Sequence, residues 1–378
     1  MDLFPITIAQ GNAFCNRRSE RKLLSQFILN GRHTVVVAPR RYGKTSLINQ
    51  TLLDLKLPST IIELTMATSI EDVEKIIINS VSRLLYAILP SSAKAKQKVL
   101  ELFAWMKPEI SLTAGGQKIN FHPDWGKLSA IENTTEVLRK LDDAAGIVKV
   151  RIVVVMDEFQ QLSEISSNVA KKQFALEAAI RNAMQYSKNI TYIFSGSYQH
   201  MLLSMFNEKS RPFYNSCEVM LIERIKRCEY EKFIQNAAML KWNKPLPAKV
   251  LAKIIELTEL HSNYVNRLCG HIWLMDEFPS LEMVSQYWDE VVMSKRSVFI
   301  KDILSLSSNQ RRLLSYLARH QTKHPSGIEV VSDLNISESS LRQALVVLSK
   351  KDHVFQDSAD IYQLLDPAMR YLVNKLSH

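Results

Sequence analysis

The chain has 378 residues, 46% of them hydrophobic and 23% charged, ordinary globular usage for about two or three domains. No run approaches the roughly 18 apolar residues of a membrane-spanning helix. Met1–Gln10 lacks the basic start of a secretory leader, and Cys15, Cys217, Cys228 and Cys269 show neither zinc-ligand nor disulfide spacing, so a cytoplasmic protein without membrane insertion or structural metal is expected. The net charge of +10 suits phosphate-rich partners, and it is unevenly placed. Residues 1–60 hold nine bases against three acids, while residues 300–378 hold ten against eight. A phosphate site near the N-terminus is therefore expected.

In chain order, the β-branched run Thr34–Val37 predicts a strand, Ala38–Gly43 a loop, and Lys44–Leu53 a helix. Pro58–Thr65, Arg151–Met156 and Ile190–Phe194 predict further strands; apolar on both faces, they suit a parallel sheet covered by helices. Helical spacing covers Ser69–Leu89, Thr134–Ala145 and Ala170–Ser187, and the alternation predicts an α/β domain. Within it, Pro108–Thr113 and Lys118–Phe121 flank Ala114–Gln117 as an inserted β-hairpin, open to reading as a core extension or a partner surface. Past about residue 220, Cys228–Leu240, Pro247–Leu260, Tyr264–Met275 and Leu281–Val298 predict helices. Helices at Ser308–His320, Gly327–Leu334 and Ser337–Lys351 then precede two short strands in Asp352–Leu365, the order of a winged helix-turn-helix. The expected domains are 1–220, 221–299 and 300–378. Trp105, Trp125, Trp242, Trp273 and Trp288 share no spacing, which favours core or interface roles over a base-stacking platform.

The loop Ala38–Pro39–Arg40–Arg41–Tyr42–Gly43–Lys44–Thr45 follows the phosphate-binding pattern G-x-x-x-x-G-K-[ST], with alanine at the first glycine. Backbone N–H groups of such a loop cradle phosphates, Lys44 would bridge the β- and γ-phosphates, and the Thr45 hydroxyl would hold Mg²⁺. Asp157-Glu158 closes an apolar strand: Asp157 would bind at Mg²⁺ and Glu158 would polarise the attacking water as general base. Capping of the following helix is the plainer alternative for the two acids. Ser195 or Ser197, at the end of the next strand, would contact the γ-phosphate or the water, although Ser-Gly-Ser is also good turn chemistry.

On these residues the chain resembles the archaeal-type ATPases of the STAND class within the AAA+ superfamily, nearly end to end. Phe14–Glu20 resembles the family's Phe-x-x-Arg-x-x-Glu opening, Arg40–Ile48 its paired-Arg phosphate loop, Val154–Gln160 its Walker B strand, and Ser195–Ser197 its sensor strand. Ser210–Tyr214, His261–Val265 and Tyr362–Pro367 resemble its Ser-Pro-x-Tyr, lid-helix and closing winged-helix segments. The resemblance implies a P-loop NTPase (AAA+-like) parallel-sheet core with a helical lid and a winged helix. It also implies ATP/ADP and Mg²⁺ as cofactors. The nucleotide would be bound by Arg17, Pro39, Arg40, Arg41, Tyr42, Gly43, Lys44, Thr45, Ser46 and His261. Thr45 and Asp157 are the expected metal ligands; Glu158, Lys44, Ser197 and Arg211 are the expected catalytic set. The family's basic residue after the tyrosine falls near Ser216, so an arginine finger would be Arg211 or Arg224.

The function implied is an ATP-hydrolysing, nucleotide-gated regulatory switch whose winged helix or hairpin docks a protein partner. The alternative is a DNA-binding winged-helix protein with a regulatory or vestigial ATP site, reading a major groove with Arg342, Lys350 and Lys351.

Overall fold

The computed structural model describes residues 2–113, 116–121, 129–167, 174–357 and 359–376. The hairpin tip Ala114-Gly115, Trp125, the expected helix start at Ala170 and Ser358 in the last turn lie outside the described residues. The chain divides into two compact units: residues 18–38 with 47–222, and residues 1–17 with 39–46 and 223–378.

The first unit is built on a five-stranded parallel sheet of β1 (Thr34–Val37), β2 (Ser59–Glu63), β5 (Ile152–Asp157), β6 (Ile190–Gly196) and β7 (Glu218–Leu221), with β3 (Glu109–Thr113) and β4 (Gly116–Asn120) forming a separate hairpin. The strand order is β2-β5-β6-β1-β7, and the pairs run Ile62↔Met156, Val155↔Ile193 and Val36↔Ser195. In β5, Ile152 to Met156 are each at most 1% exposed. Burying such a side chain stabilises by about 1.5–3 kcal/mol, which explains why runs apolar on both faces became central strands. β7 was not expected from the sequence; it is a four-residue edge strand with Val219 and Leu221 exposed.

The helices of this unit begin where their capping residues dictate. Ser69 accepts from Asp72 N and Asp72 returns the bond, starting helix Ile70–Ile88. Ser129 and Glu132 form the same box and start helix Ala130–Val148 well before the expected Thr134. The expected helix at 170–187 is seen as Ala175–Tyr186. In the hairpin, Ile119 is 1% exposed within the core cluster, Ser82 Oγ donates to its carbonyl, and Phe121 stacks on Phe103 at 5.3 Å. That side of the hairpin is a core extension.

The second unit is helical apart from β8 (Val354–Gln356) and β9 (Tyr362–Leu364). Helices Arg227–Trp242, Ala248–Thr258, Ser262–Leu274 and Leu281–Met293 stand where apolar spacing places them. The segment expected as one helix over 281–298 breaks after Met293, where Ser294 Oγ turns back to Val291 O, and resumes as Arg296–Leu304. Helices Ser308–Arg319, Ile328–Leu334 and Glu338–Lys350 then lead into the β8-β9 hairpin, the element order expected of the C-terminal segment. Helix Pro367–Leu376, absent from the sequence reading, follows, and Asp366 Oδ1 caps it by accepting from Ala368 N and Met369 N. Trp288 at 1% exposure centres this unit's core, and Phe4 packs on Trp273 at 4.7 Å.

Candidate functional site

β5 and β6 are adjacent and parallel, so the polar residues that end them emerge at the same carboxyl edge of the sheet. This is the edge at which open α/β sheets place their ligands. Ser195 Oγ donates to Asp157 Oδ1 at 2.5 Å, and Glu158 N donates to the same oxygen at 3.1 Å. Phe159 N reaches Ser195 O at 2.9 Å, locking the turn after β5 to the neighbouring strand. Glu158 adopts φ +53°, a left-handed conformation that costs a non-glycine residue about 1–3 kcal/mol and persists only where its surroundings impose it. Its Oε2 accepts from Ser197 N at 3.1 Å, Ser197 Oγ at 2.8 Å and Gln160 Nε2 at 2.5 Å. Asp157, Glu158 and Ser197 are thus brought together. Ser195 and Gln160 complete the cluster; the sequence reading offered Ser195 only as an alternative to Ser197 and gave Gln160 no role.

Both of these polar residues are buried, Ser195 at 0% and Gln160 at 2%. Ser195 was signalled by the apolar run it ends, whereas Gln160, between Phe159 and Gln161, had no such local signal. Gly196 is required by proximity: a Cβ there would meet Gln160 Oε1 at 1.9 Å.

The phosphate loop belongs to the helical unit. Gly43 has φ +86° with nothing within 4 Å of a notional Cβ, so the backbone conformation rather than a neighbouring atom demands glycine. Arg41 has φ +64°. Helix Lys44–Leu55 follows, with Lys44 6% exposed and Pro39 buried, while Arg40 and Arg41 face outward. Arg17, 4% exposed, donates to Tyr42 O at 2.8 Å and Glu223 O at 2.9 Å, bracing the loop's backbone. Ser46 Oγ accepts from Ala9 N at 3.0 Å.

The Tyr42 side chain is 3% exposed, and its hydroxyl accepts from Arg224 Nε at 2.9 Å. Arg224 also donates to Glu259 Oε2 at 3.2 Å and to Leu365 O at 3.2 Å, just past β9. Arg370 Nη1 meets Glu259 Oε1 at 2.9 Å, and Leu365 N bonds His353 O at 3.0 Å. A continuous chain of hydrogen bonds therefore runs from the phosphate loop to the C-terminal hairpin. His261, at 3% exposure, lies with its ring 5.1 Å from that of Tyr42 and 4.9 Å from that of Tyr264. Burial drives its pKa well below the ordinary value, so the ring is neutral, and its buried Nδ1 has no hydrogen-bond partner. Asp352, one residue before His353, has its carboxyl pushed up to about 6 by burial, against the opposing pull of Arg40 and Lys44.

Arg211 belongs to the sheet unit, whereas the phosphate loop belongs to the helical unit, and the Arg211 side chain is 9% exposed. It donates to Glu177 Oε1 at 2.7 Å and Ser163 Oγ at 2.5 Å, and its guanidinium lies 4.2 Å from the Phe174 ring centre. Burial pushes the Glu177 carboxyl up to about 7 even though Arg211 pulls it down.

Among the described residues no group of three His, Cys, Asp or Glu side chains could hold a metal ion by itself. Thr45 offers a hydroxyl in the helical unit and Asp157 a carboxylate in the sheet unit, each a donor type that Mg²⁺ accepts. A glycine-dependent loop opening a helix is likewise of the kind a nucleotide phosphate uses.

No protein-family model matches the chain, and no curated protein sequence matches it. Among solved structures, a Walker-type ATPase of Pyrococcus abyssi is similar with a TM-score of 0.69 at 19% identity, over 98% of this chain and 99% of that one. The ORC2 protein of Aeropyrum pernix, in ADPNP and ADP complexes, is similar with a TM-score of 0.53 at 12% identity, over 96% and 94%. At these identities the likeness is one of fold: the chain shares the α/β fold, built on a parallel sheet, of the Walker-type ATPase. No helix among the described residues is long and apolar enough to cross a membrane.

Proposed function

We propose that the chain binds ATP with Mg²⁺, hydrolyses it, and uses the nucleotide state to set its C-terminal module, as a regulatory switch of the STAND type. The observation that carries the hydrolytic part is the Asp157–Glu158 pair at the carboxyl edge of the sheet, with Ser195 on the first acid and Ser197 and Gln160 on the second. A helix cap needs only one of these acids and none of the donors. The structural neighbour in ADPNP and ADP complexes supports adenine nucleotide as the ligand.

In this reading the backbone N–H groups around Gly43 and the Lys44 ammonium hold the phosphates, while Arg17 keeps the loop in shape through Tyr42 O. Pro39, Arg40, Arg41, Tyr42, Ser46 and His261 complete the nucleotide contacts. Thr45 and Asp157 would hold Mg²⁺, which would supply charge neutralisation on the phosphate oxygens. Glu158 takes a proton from the attacking water as its oxygen bonds the γ-phosphorus and ADP departs, and Ser197 holds the Glu158 carboxylate in place. Arg211 and Arg224 each hold a carboxylate, Glu177 and Glu259, and either would have to exchange it for a phosphate to act as a finger.

The switch part rests on the hydrogen-bond chain Tyr42–Arg224–Leu365, by which a rearranged phosphate loop would alter the hold on the hairpin. We assign 1–220 to the ATPase domain, 221–299 to a lid and 300–378 to a winged-helix output module, cytoplasmic in setting. A protein partner for that module is favoured over DNA, because Arg342 on its third helix is paired with Glu338 and the segment lacks a basic stripe. Lys44→Ala should abolish binding of a fluorescent ADP analogue; unchanged affinity in that variant would overturn the reading.

A further inference from the structure

Gln160 is out of place by the rules of packing. It is 2% exposed, its Oε1 is buried without a hydrogen-bond partner, and that oxygen lies so close to Gly196 that a Cβ there would come within 1.9 Å of it. A buried carbonyl left unpaired costs about 1–3 kcal/mol. A Leu or Met of similar volume would fill the same space without the penalty. The amide cannot relieve itself by turning over, since its oxygen would then face the Glu158 carboxylate that Nε2 now touches at 2.5 Å. Its gain lies in that one charge-assisted bond.

We propose that Gln160 is a positioning residue for Glu158, holding the carboxylate in one rotamer together with Ser197, and that Gly196 lacks a side chain so that the amide can reach it. The inference rests on the hydrolytic reading of Glu158 and adds the residue pair that sets its geometry. Ser197 N, Ser197 Oγ and Gln160 Nε2 converge on Glu158 Oε2, and the Gln160 side chain is one that a single neighbouring methyl group would displace. The left-handed backbone of Glu158 aims the carboxylate, and the donors fix where it ends.

Two variants test this from opposite sides. Gln160→Leu removes the donor, and Gly196→Ala leaves every donor chemically intact while its Cβ pushes the amide away. Both should lower kcat for Mg-ATP about tenfold or more, the lower end for losing a hydrogen bond to a charged group. KM should stay within about twofold, as expected for a contact that acts in the transition state rather than in binding. Unchanged kcat in either variant, or a loss confined to KM, would overturn the proposal. A readout independent of turnover is the Gln160 side-chain amide resonance in the nucleotide-free wild-type protein. It should lie downfield and move upfield in Glu158→Gln; a resonance indifferent to that substitution refutes the contact even if the protein hydrolyses ATP. If the wild type turns over no ATP while the resonance responds, the hydrolytic reading fails and the positioning geometry stands.

Discussion

Replacing Arg211 by methionine should destabilise the sheet unit in a pH-dependent way. The Glu177 side chain is 0% exposed and Arg211 9%, with 2.7 Å between them. Burial pushes the Glu177 carboxyl from its ordinary 4.5 up to about 7. Between those values the folded chain keeps a proton that the unfolded chain releases. Stability from this group is therefore fully present below about 4.5 and is lost as pH rises through 7. At ~1.4 kcal/mol per pH unit of displacement, the loss in the wild type is roughly 3 kcal/mol. Arg211 opposes the rise, so Arg211→Met lifts the carboxyl further and extends the loss to higher pH. At pH 8 the variant should be about 2–2.5 kcal/mol less stable than wild type: the roughly 1 kcal/mol of a lost hydrogen bond plus up to ~1.4 kcal/mol for the one pH unit above 7 over which only the variant keeps its proton. At pH 5, with Glu177 neutral in both, the penalty should shrink to the ~1 kcal/mol of a lost hydrogen bond. Urea unfolding at pH 5, 6, 7 and 8 reads the difference, and adding Glu177→Gln should recover most of the pH 8 loss. A penalty equal at pH 5 and pH 8 would refute the argument.

Cys228 is exposed, whereas burial pushes the Cys15 and Cys217 thiols up to about 12 and raises that of Cys269 as well. Iodoacetamide at pH 8 should therefore label Cys228 alone in the native protein and all four cysteines in urea, read by peptide mass; early labelling of Cys269 would contradict the packing. Ser129→Ala removes the cap of helix Ala130–Val148 and should cost about 1 kcal/mol in urea unfolding, with Ser129→Asp restoring most of it.

The sheet was legible because β1, β5 and β6 are unbroken apolar runs ending in polar chemistry, and the phosphate loop because Gly43-Lys44-Thr45 sits between a strand and a helix. Edge strand β7 was not, since two of its four side chains are exposed and its pairing depends on β1 rather than on its own pattern. The start of helix Ala130–Val148 was available in Ser129 and Glu132, a capping box that apolar periodicity alone passes over. At the site, Asp157 and Glu158 declare themselves by two acids after a buried run, whereas Gln160 and Gly196 depend on two strand ends meeting side by side. The link from Tyr42 through Arg224 to Leu365 spans residues far apart in the chain and no local pattern encodes it.

The central claim, that Glu158 is the base of an ATP-hydrolysing site, is tested most directly by steady-state turnover of Mg-ATP by the wild type and Glu158→Gln, alongside their ADP affinities. The account predicts turnover in the wild type, its loss by two orders of magnitude or more (~10²–10⁴-fold for a general base) in Glu158→Gln, and unchanged ADP binding. Turnover that survives the substitution would contradict it.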